Sequence, residues 1–254
     1  MKQALVAYSG GADSTFLLKV AVDTLGKQNV LAVTAKSETY TSSELKDAVK
    51  NAKRIGARHI IISTNELKNP DFRKNPADRC YYCKSELFNR LKKIAKKENI
   101  KFVIDASNAD DLKDYRPGAK AKNELGIRSP LQESGFTKND IRRFSKKLGL
   151  STWDKPAMAC LASRLPYGEK IEADKLRKIE AAEEFLGRLG FRQVRVRCHG
   201  DMARIEVPSV DIKRLNKDEI RGKITARLKA LGFLYITLDL QGYRTGSLNE
   251  VLKR

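Results

Sequence analysis

Two glycines follow a short apolar run in Val6-Ala7-Tyr8-Ser9-Gly10-Gly11-Ala12-Asp13-Ser14-Thr15, and they are the first residues whose types and spacing could do chemistry. Adjacent glycines let a backbone approach a phosphate and take conformations closed to other residues. Amides at the start of a following helix would meet that phosphate at the positive end of the dipole, with the Ser9 and Ser14 hydroxyls as further donors. The lysine that an ordinary P-loop needs after its last glycine is absent, as is the three-glycine spacing of a dinucleotide fold. γ-Phosphoryl transfer of the P-loop kind is therefore disfavoured. Two thiols come next, in Arg79-Cys80-Tyr81-Tyr82-Cys83-Lys84, at a spacing used by zinc, iron–sulfur and redox sites. They open a helix, whose dipole lowers thiol pKa. Cys160, in Ala157-Met158-Ala159-Cys160-Leu161-Ala162-Ser163-Arg164, is the obvious third ligand, and Cys198 is read as a bystander. Three thiolates on a 4Fe–4S cluster leave one iron open to sulfide or substrate sulfur. Zinc with an external ligand competes with that reading, and the residues do not choose between them.

The elements that must position these groups alternate in the first half of the chain. Strands are expected at Lys2–Tyr8, Asn29–Thr34, His59–Ser63 and Phe102–Asp105, and helices at Ser14–Leu25, Ser43–Ile55 and Cys83–Lys97. Ser42 or Ser43 is the expected cap of the second helix and Gly56 its end. Short, fully apolar strands separated by helices predict an α/β fold, a parallel sheet with helices on both faces. Ligands in such sheets bind beyond the carboxyl ends of the strands. Tyr115–Gly118 and Trp153–Gly168 read as loops. From Glu172 the pattern changes to a helix as far as Leu189, strands at Gln193–Cys198, Ala203–Val207 and Tyr235–Leu240, and a helix at Lys217–Leu231. A small α+β C-terminal domain is expected, with domains at 1–166 and 167–254.

The chain has 254 residues, 41% hydrophobic and 32% charged, which is ordinary for a globular protein and argues against disorder. No apolar run is long enough for a membrane span. The N-terminus reads as a strand rather than a signal peptide, so a cytoplasmic location and free, metal-bound or reactive cysteines are expected. The net charge of +20 favours anionic partners, small anions or nucleic acid, although its basic residues are scattered along helices.

The string Ser-Gly-Gly-x-Asp-Ser at residues 9–14 resembles the pyrophosphate loop of the N-type ATP pyrophosphatases. That resemblance implies adenylylation, with ATP held by Ser9, Gly10, Gly11, Asp13 and Ser14, and Asp13 near Mg²⁺. Lys36 and Ile62 would then flank the adenosine. Longer strings resemble a narrower group. They are Asn75–Lys84, Asp110–Gly118, Lys155–Gly168, Val194–Val207 and Gly242–Glu250, and they are similar to the LarE family of ATP-dependent sulfurtransferases along nearly the whole chain. Members mature the nickel-pincer cofactor of lactate racemase by converting carboxylates of pyridinium-3,5-biscarboxylic acid mononucleotide to thiocarboxylates. One form gives up the sulfur of a cysteine matching Cys160; the other carries sulfur on a 4Fe–4S cluster. Cys80, Cys83 and Cys160 occurring together favour the cluster form. The resemblance further implies that Arg195 and Arg197 bind the substrate's phosphate, with Ser163, Arg164 and Glu183 in matching segments, and that the chain forms homo-oligomers through its C-terminal domain. At position 198 the chain has cysteine where the family pattern has histidine. For Arg195 and Arg197 the competing reading is a pair of outward charges at alternate strand positions. Competing functions are tRNA thiolation by the same chemistry, a non-catalytic metal or sulfur carrier, and an amide-forming synthetase of the NAD synthetase kind.

Overall fold

Strand β1 (Ala4–Ala7) is buried at Ala4, Leu5 and Val6 because its alternate side chains enter two different cores. The computed structural model describes residues 1–113, 117–156 and 159–253. Asp114, Tyr115, Arg116, Ala157, Met158 and Arg254 therefore lie outside the described residues, including Tyr115 and Arg116 of the loop expected at Tyr115–Gly118. Packing divides the chain into two compact units, residues 1–72 with 77–158, and residues 73–76 with 159–254.

In the first unit, β1 leads into helix α1 (Ala12–Leu25), strand β2 (Val30–Lys36), helix α2 (Ser42–Ile55) and strand β3 (Arg58–Ser63). The one-turn helix α3 (Pro70–Arg73) precedes α4 (Arg79–Lys97) and strand β4 (Val103–Ile104). Helices α5 (Gly118–Glu124), α6 (Pro130–Glu133) and α7 (Lys138–Lys147) follow. The sheet order is β3-β2-β1-β4 and every pairing is parallel. Ala4, Val6, Val30 and Ala32 point to one face, against Phe16 and Leu18 of α1, Ala48 of α2 and Ile141 of α7. Leu5, Leu31 and Val33 point to the other, against Phe88 and Leu91 of α4. Each fully buried Leu or Phe contributes about 1.5–3 kcal/mol. Helices thus cover both faces, as the strand pattern requires.

Two expectations are corrected. Thr41 caps α2, not Ser42 or Ser43: its Oγ1 accepts from the Glu44 amide at 3.2 Å while the Glu44 carboxylate accepts from the Thr41 amide at 3.3 Å. That reciprocal pair needs a glutamate three residues after the cap, and only Thr41 among the three has one. Strand β3 is not a buried strand, for Ile60 and Ile61 are 38% and 46% exposed. It is the sheet's edge, paired among the described strands with β2 alone.

The second unit contains α8 (Ala173–Arg188), β5 (Arg195–His199), β6 (Met202–Glu206), α9 (Ser209–Leu215), α10 (Asp218–Ala230) and β7 (Tyr235–Leu238). β6 pairs antiparallel with β5 and parallel with β7. Leu176, Ile179, Ala182 and Leu186 recur at helical spacing on α8 and are all buried. Residues 73–76 belong here because Asn75, fully buried with φ +52°, donates from Nδ2 to the Leu165 and Pro166 carbonyls at 3.4 and 2.6 Å. The division falls between residues 158 and 159, short of the boundary expected at 166. No described helix is long and apolar enough to cross a membrane.

Candidate functional site

Residues 8–11 join the carboxyl end of β1 to α1. Gly10 has φ +70°, and a Cβ there would stand 2.8 Å from both Cα and Cβ of Ala48 on α2. Left-handed geometry and close approach each require glycine at that point. Gly11 caps α1 without a side chain, leaving the first amides of the helix to an outside acceptor. The carbonyls are turned to other partners: Tyr40 Oη donates to Ser9 O at 2.5 Å, and Ser14 Oγ donates to Gly11 O at 3.2 Å. Ser9 Oγ and Ser14 Oγ lie 3.1 Å apart. The Gly11 amide donates to Ser9 Oγ at 3.5 Å, and a helix start with its carbonyls bonded elsewhere has the local geometry to meet a polyphosphate.

Asp13 sits on the first turn of α1. Its Oδ2 accepts from Asn108 Nδ2 at 2.9 Å. Burial pushes its pKa up and Asp111 adds to the rise, while the Asn108 bond and the charges of Lys138 and Arg142 oppose it. Among the described residues its Oδ1 accepts no hydrogen bond, so that oxygen could serve as a ligand to a divalent cation. Lys36, exposed, and Ile62, half-buried, stand at the carboxyl ends of β2 and β3, where Ala35 pairs with Ile62 and Lys36 with Ser63. Beneath them Thr34 Oγ1 donates to Tyr8 O at 2.8 Å and lies 2.8 Å from His59 Nε2.

The first helical residue of α4 is Arg79, so both Cys80 and Cys83 lie on its opening turns, whereas the sequence reading begins that helix at Cys83. Three residues apart, they occupy neighbouring positions on the helix surface. Cys80 is exposed and Cys83 half-buried, with Cys83 Sγ 3.9 Å from Glu66 Oε1. Tyr81 Oη donates to Glu124 Oε2 of α5 at 2.8 Å, and Gly118 opens α5 where a Cβ would meet Cys80 O at 3.4 Å. The positive dipole end suits anionic sulfur ligands. Among the described residues no group of three or more His, Cys, Asp or Glu side chains is gathered into a metal site.

In the second unit, Cys160 is exposed and precedes a short 3₁₀ turn at Leu161–Arg164. Arg164, fully buried, organises that turn. One of its terminal nitrogens donates to Ala159 O at 2.5 Å, Cys160 O at 3.1 Å and Ser163 Oγ at 3.0 Å. Its other two nitrogens grip Glu183 of α8 bidentately, at 2.9 and 2.8 Å. Glu183 Oε1 also accepts from the Val196 amide at 2.9 Å, tying β5 to α8. Arg195 and Arg197 are buried, so the outward-charge reading fails. Arg197 is bidentate on Glu206, at 2.9 Å to each oxygen, and also donates to Ser163 O and Ser247 Oγ. Arg195 lies 5.4 Å from the Tyr243 ring centroid, and burial, then the Arg164 charge, lower its pKa. Glu183 pairs with Arg164, and Glu206 pairs with both Arg197 and Arg204. Cys198 is buried, and burial raises its pKa.

Ser163, Arg164, Glu183 and Arg197 thus form one hydrogen-bonded group around the Cys160 turn, Ser9 and Ser14 form another around Gly10 and Gly11, and Asp13 is held separately by Asn108. Asn108, Tyr40, Glu206 and Tyr243 are functional candidates that the sequence reading omits. Glu206 could have been found as the acidic residue at an alternate strand position beside two arginines.

The NAD synthase family matches residues 1–99. The whole chain is 41% identical to the pyridinium-3,5-bisthiocarboxylic acid mononucleotide synthase of Lactiplantibacillus plantarum, covering 91% of that protein. It is 48% identical over its whole length to an uncharacterized protein of Synechocystis sp., covering 94% of it. An uncharacterized protein of Methanocaldococcus jannaschii is 32% identical over 96% of this chain and 92% of its own length.

Proposed function

Because this chain belongs to the LarE family of ATP-dependent sulfurtransferases, we propose that it adenylylates a carboxylate of pyridinium-3,5-biscarboxylic acid mononucleotide and replaces the AMP with sulfur. The full-length match to a synthase of the bisthiocarboxylic mononucleotide carries this reading, and the left-handed Gly10 turn into the start of α1 supports its first step. A carboxylate oxygen attacks the α-phosphorus of ATP, and the bond to the β-phosphate bridge breaks. The departing pyrophosphate is held by the loop amides and the Ser9 and Ser14 hydroxyls. Asp13 binds the Mg²⁺ that travels with ATP, while Lys36 and Ile62 border the adenosine. In the second step a sulfur nucleophile attacks the acyl carbon, AMP leaves with the C–O electron pair, and a thiocarboxylate results. Arg195 supplies charge to the mononucleotide's phosphate, and Arg197, Arg164, Glu183 and Ser163 shape that pocket.

Cys80, Cys83 and Cys160 are the proposed ligands of a 4Fe–4S cluster, which when bound supplies a sulfur atom that is not part of the polypeptide. The neighbouring thiols on the first turns of α4 support the assignment. Sacrificial donation is the second reading, favoured by the exposure of Cys160 itself. Anaerobic reconstitution followed by iron and sulfide counts on wild type and single Cys→Ala variants tests the first. Mass spectrometry after ATP and substrate tests the second, since donation leaves the protein lighter by one H₂S. Wild type holding no iron and keeping its mass through turnover would sink both sulfur routes. Pyrophosphate release that persists unchanged in Asp13→Ala would remove the assignment of residues 9–14 and Asp13 to the adenylylation step. Self-association through the second unit is part of the proposal and is tested by light scattering.

A further inference from the structure

Asn108 is fully buried and uses both ends of its side-chain amide. Its Nδ2 donates to Asp13 Oδ2 at 2.9 Å, across 95 positions of sequence, and its Oδ1 accepts from the Asp110 amide at 3.1 Å. Its own backbone N–H donates to Asp111 Oδ2 at 3.1 Å. One residue therefore holds two carboxylates, one on the first turn of α1 and one in the turn after β4. Each is partly stripped of water, and the charge of Asp111 works against ionisation of Asp13. An arginine or lysine in this position would cancel the negative charge that a cation must find. A neutral amide orients the carboxylate and leaves its charge intact.

We propose that Asn108 is the positioning residue of the phosphate loop, fixing the Asp13 carboxylate so that its other oxygen, Oδ1, meets the divalent cation of the nucleotide. The proposal rests on the reading of residues 9–14 as an ATP site. The bond to Oδ2 leaves Oδ1 without a described hydrogen bond, and it restrains rotation of a short side chain at the point where the α1 amides converge. The ordinary alternative is that Asn108 only shapes its own turn, since an Asn oxygen bonded to the amide two residues on is a common turn device.

Asn108→Ser separates these roles, because a serine hydroxyl keeps the turn-forming acceptor but cannot reach Asp13. Calorimetric titration of the full chain with ATP, without acceptor substrate, is run once with Mg²⁺ and once with the metal chelated. Loss of a buried, charge-assisted hydrogen bond predicts about a tenfold rise in Kd with Mg²⁺. Binding without metal is expected to hold within about twofold, because the loop amides are untouched. The concentration of Mn²⁺ that half-saturates the protein–ATP complex, read by electron paramagnetic resonance, rises in parallel. In an Asp13→Ala background Asn108→Ser adds nothing further, since its route of action is already gone. Should Asn108→Ser melt early, Asn108→Thr, which fills more of the buried space with the same hydroxyl, carries the same expectation. Equal losses with and without metal, or an undiminished effect in the Asp13→Ala background, would overturn the inference. Wild type that binds no ATP, or binds it equally with and without Mg²⁺, would instead remove the reading beneath it.

Discussion

Glu183→Ala should loosen the second unit more than any exposed substitution there, and the loss can be worked from its partners. Arg164 is fully buried and gives two nitrogens to Glu183, at 2.9 and 2.8 Å. Removing one partner of a buried pair leaves an uncompensated charge, at a cost of about 3–5 kcal/mol. The Val196 amide also loses its acceptor, which adds about 1–3 kcal/mol. Arg164 keeps its bonds to Ala159 O, Cys160 O and Ser163 Oγ, so the sum should fall near the lower end, about 4 kcal/mol. That is a large share of what holds a domain together. The only tryptophan, Trp153, belongs to the first unit, so fluorescence cannot report the change. Hydrogen exchange at α8 and β5 can, because it reads local opening free energies. Glu219→Ala, at an exposed pair with Lys223, is the control and should leave exchange unmoved. The double variant Arg164→Met with Glu183→Leu should regain much of the loss, since matched apolar replacements of buried pairs are often neutral. Opening free energies for Glu183→Ala within about 1 kcal/mol of wild type, the size of one ordinary hydrogen bond, would refute the reasoning. A double variant as weak as the single would trace the loss to the turn carbonyls rather than to stranded charge.

Burial raises the native pKa of Asp13 above its unfolded value. The ionised carboxylate therefore destabilises the fold above the native pKa, and the penalty vanishes below the unfolded one. Asp13→Asn should melt above wild type at neutral pH, and the two curves should meet as pH falls through the carboxylate range; a gap widening toward acid would contradict this. Gly10→Ala combines a left-handed residue, costing about 1–2 kcal/mol, with a Cβ driven against the Ala48 backbone. ATP binding should be lost in calorimetry while the fold persists by circular dichroism, and wild-type affinity would show that the loop is not the site. Ser129 bridges two buried charged groups, with Lys122 Nζ at 2.8 Å and Asp105 Oδ1 at 2.5 Å. Ser129→Ala should cost the first unit about 1–3 kcal/mol in urea unfolding followed by Trp153 emission, and an unchanged midpoint would deny the bridge a role.

The parallel sheet was legible because apolar runs such as Val30–Val33 have no polar face to turn outward, which demands cover on both sides. Glycines 10 and 11 marked the tight turn from β1 into α1 for similarly local reasons, since Gly10 takes φ +70° against Ala48. The exposure of β3 was not legible, since His59–Ser63 looks as apolar as a central strand and only the pairing order makes it an edge. Helix α7 was missed although Thr137 and Asp140 form a capping box that ordinary scanning can find. Asn108 was beyond local reading, since its partner Asp13 is distant in sequence and an asparagine after a strand usually signals only a turn. The burial of Arg195 and Arg197 was equally hidden. Their cost is met by Glu206 and Tyr243, residues whose relevance appears once β5 and β6 are in register.

Residues 73–76 give the chain a timing problem during synthesis. Asn75 needs the carbonyls of Leu165 and Pro166, and the Ile171 amide needs Arg73 O. On the ribosome this tetrapeptide emerges long before its partners, so the early sheet must form around an unfinished stitch. A fragment starting at residue 159 would lack that stitch, and truncation there should yield an incomplete fold rather than an autonomous domain.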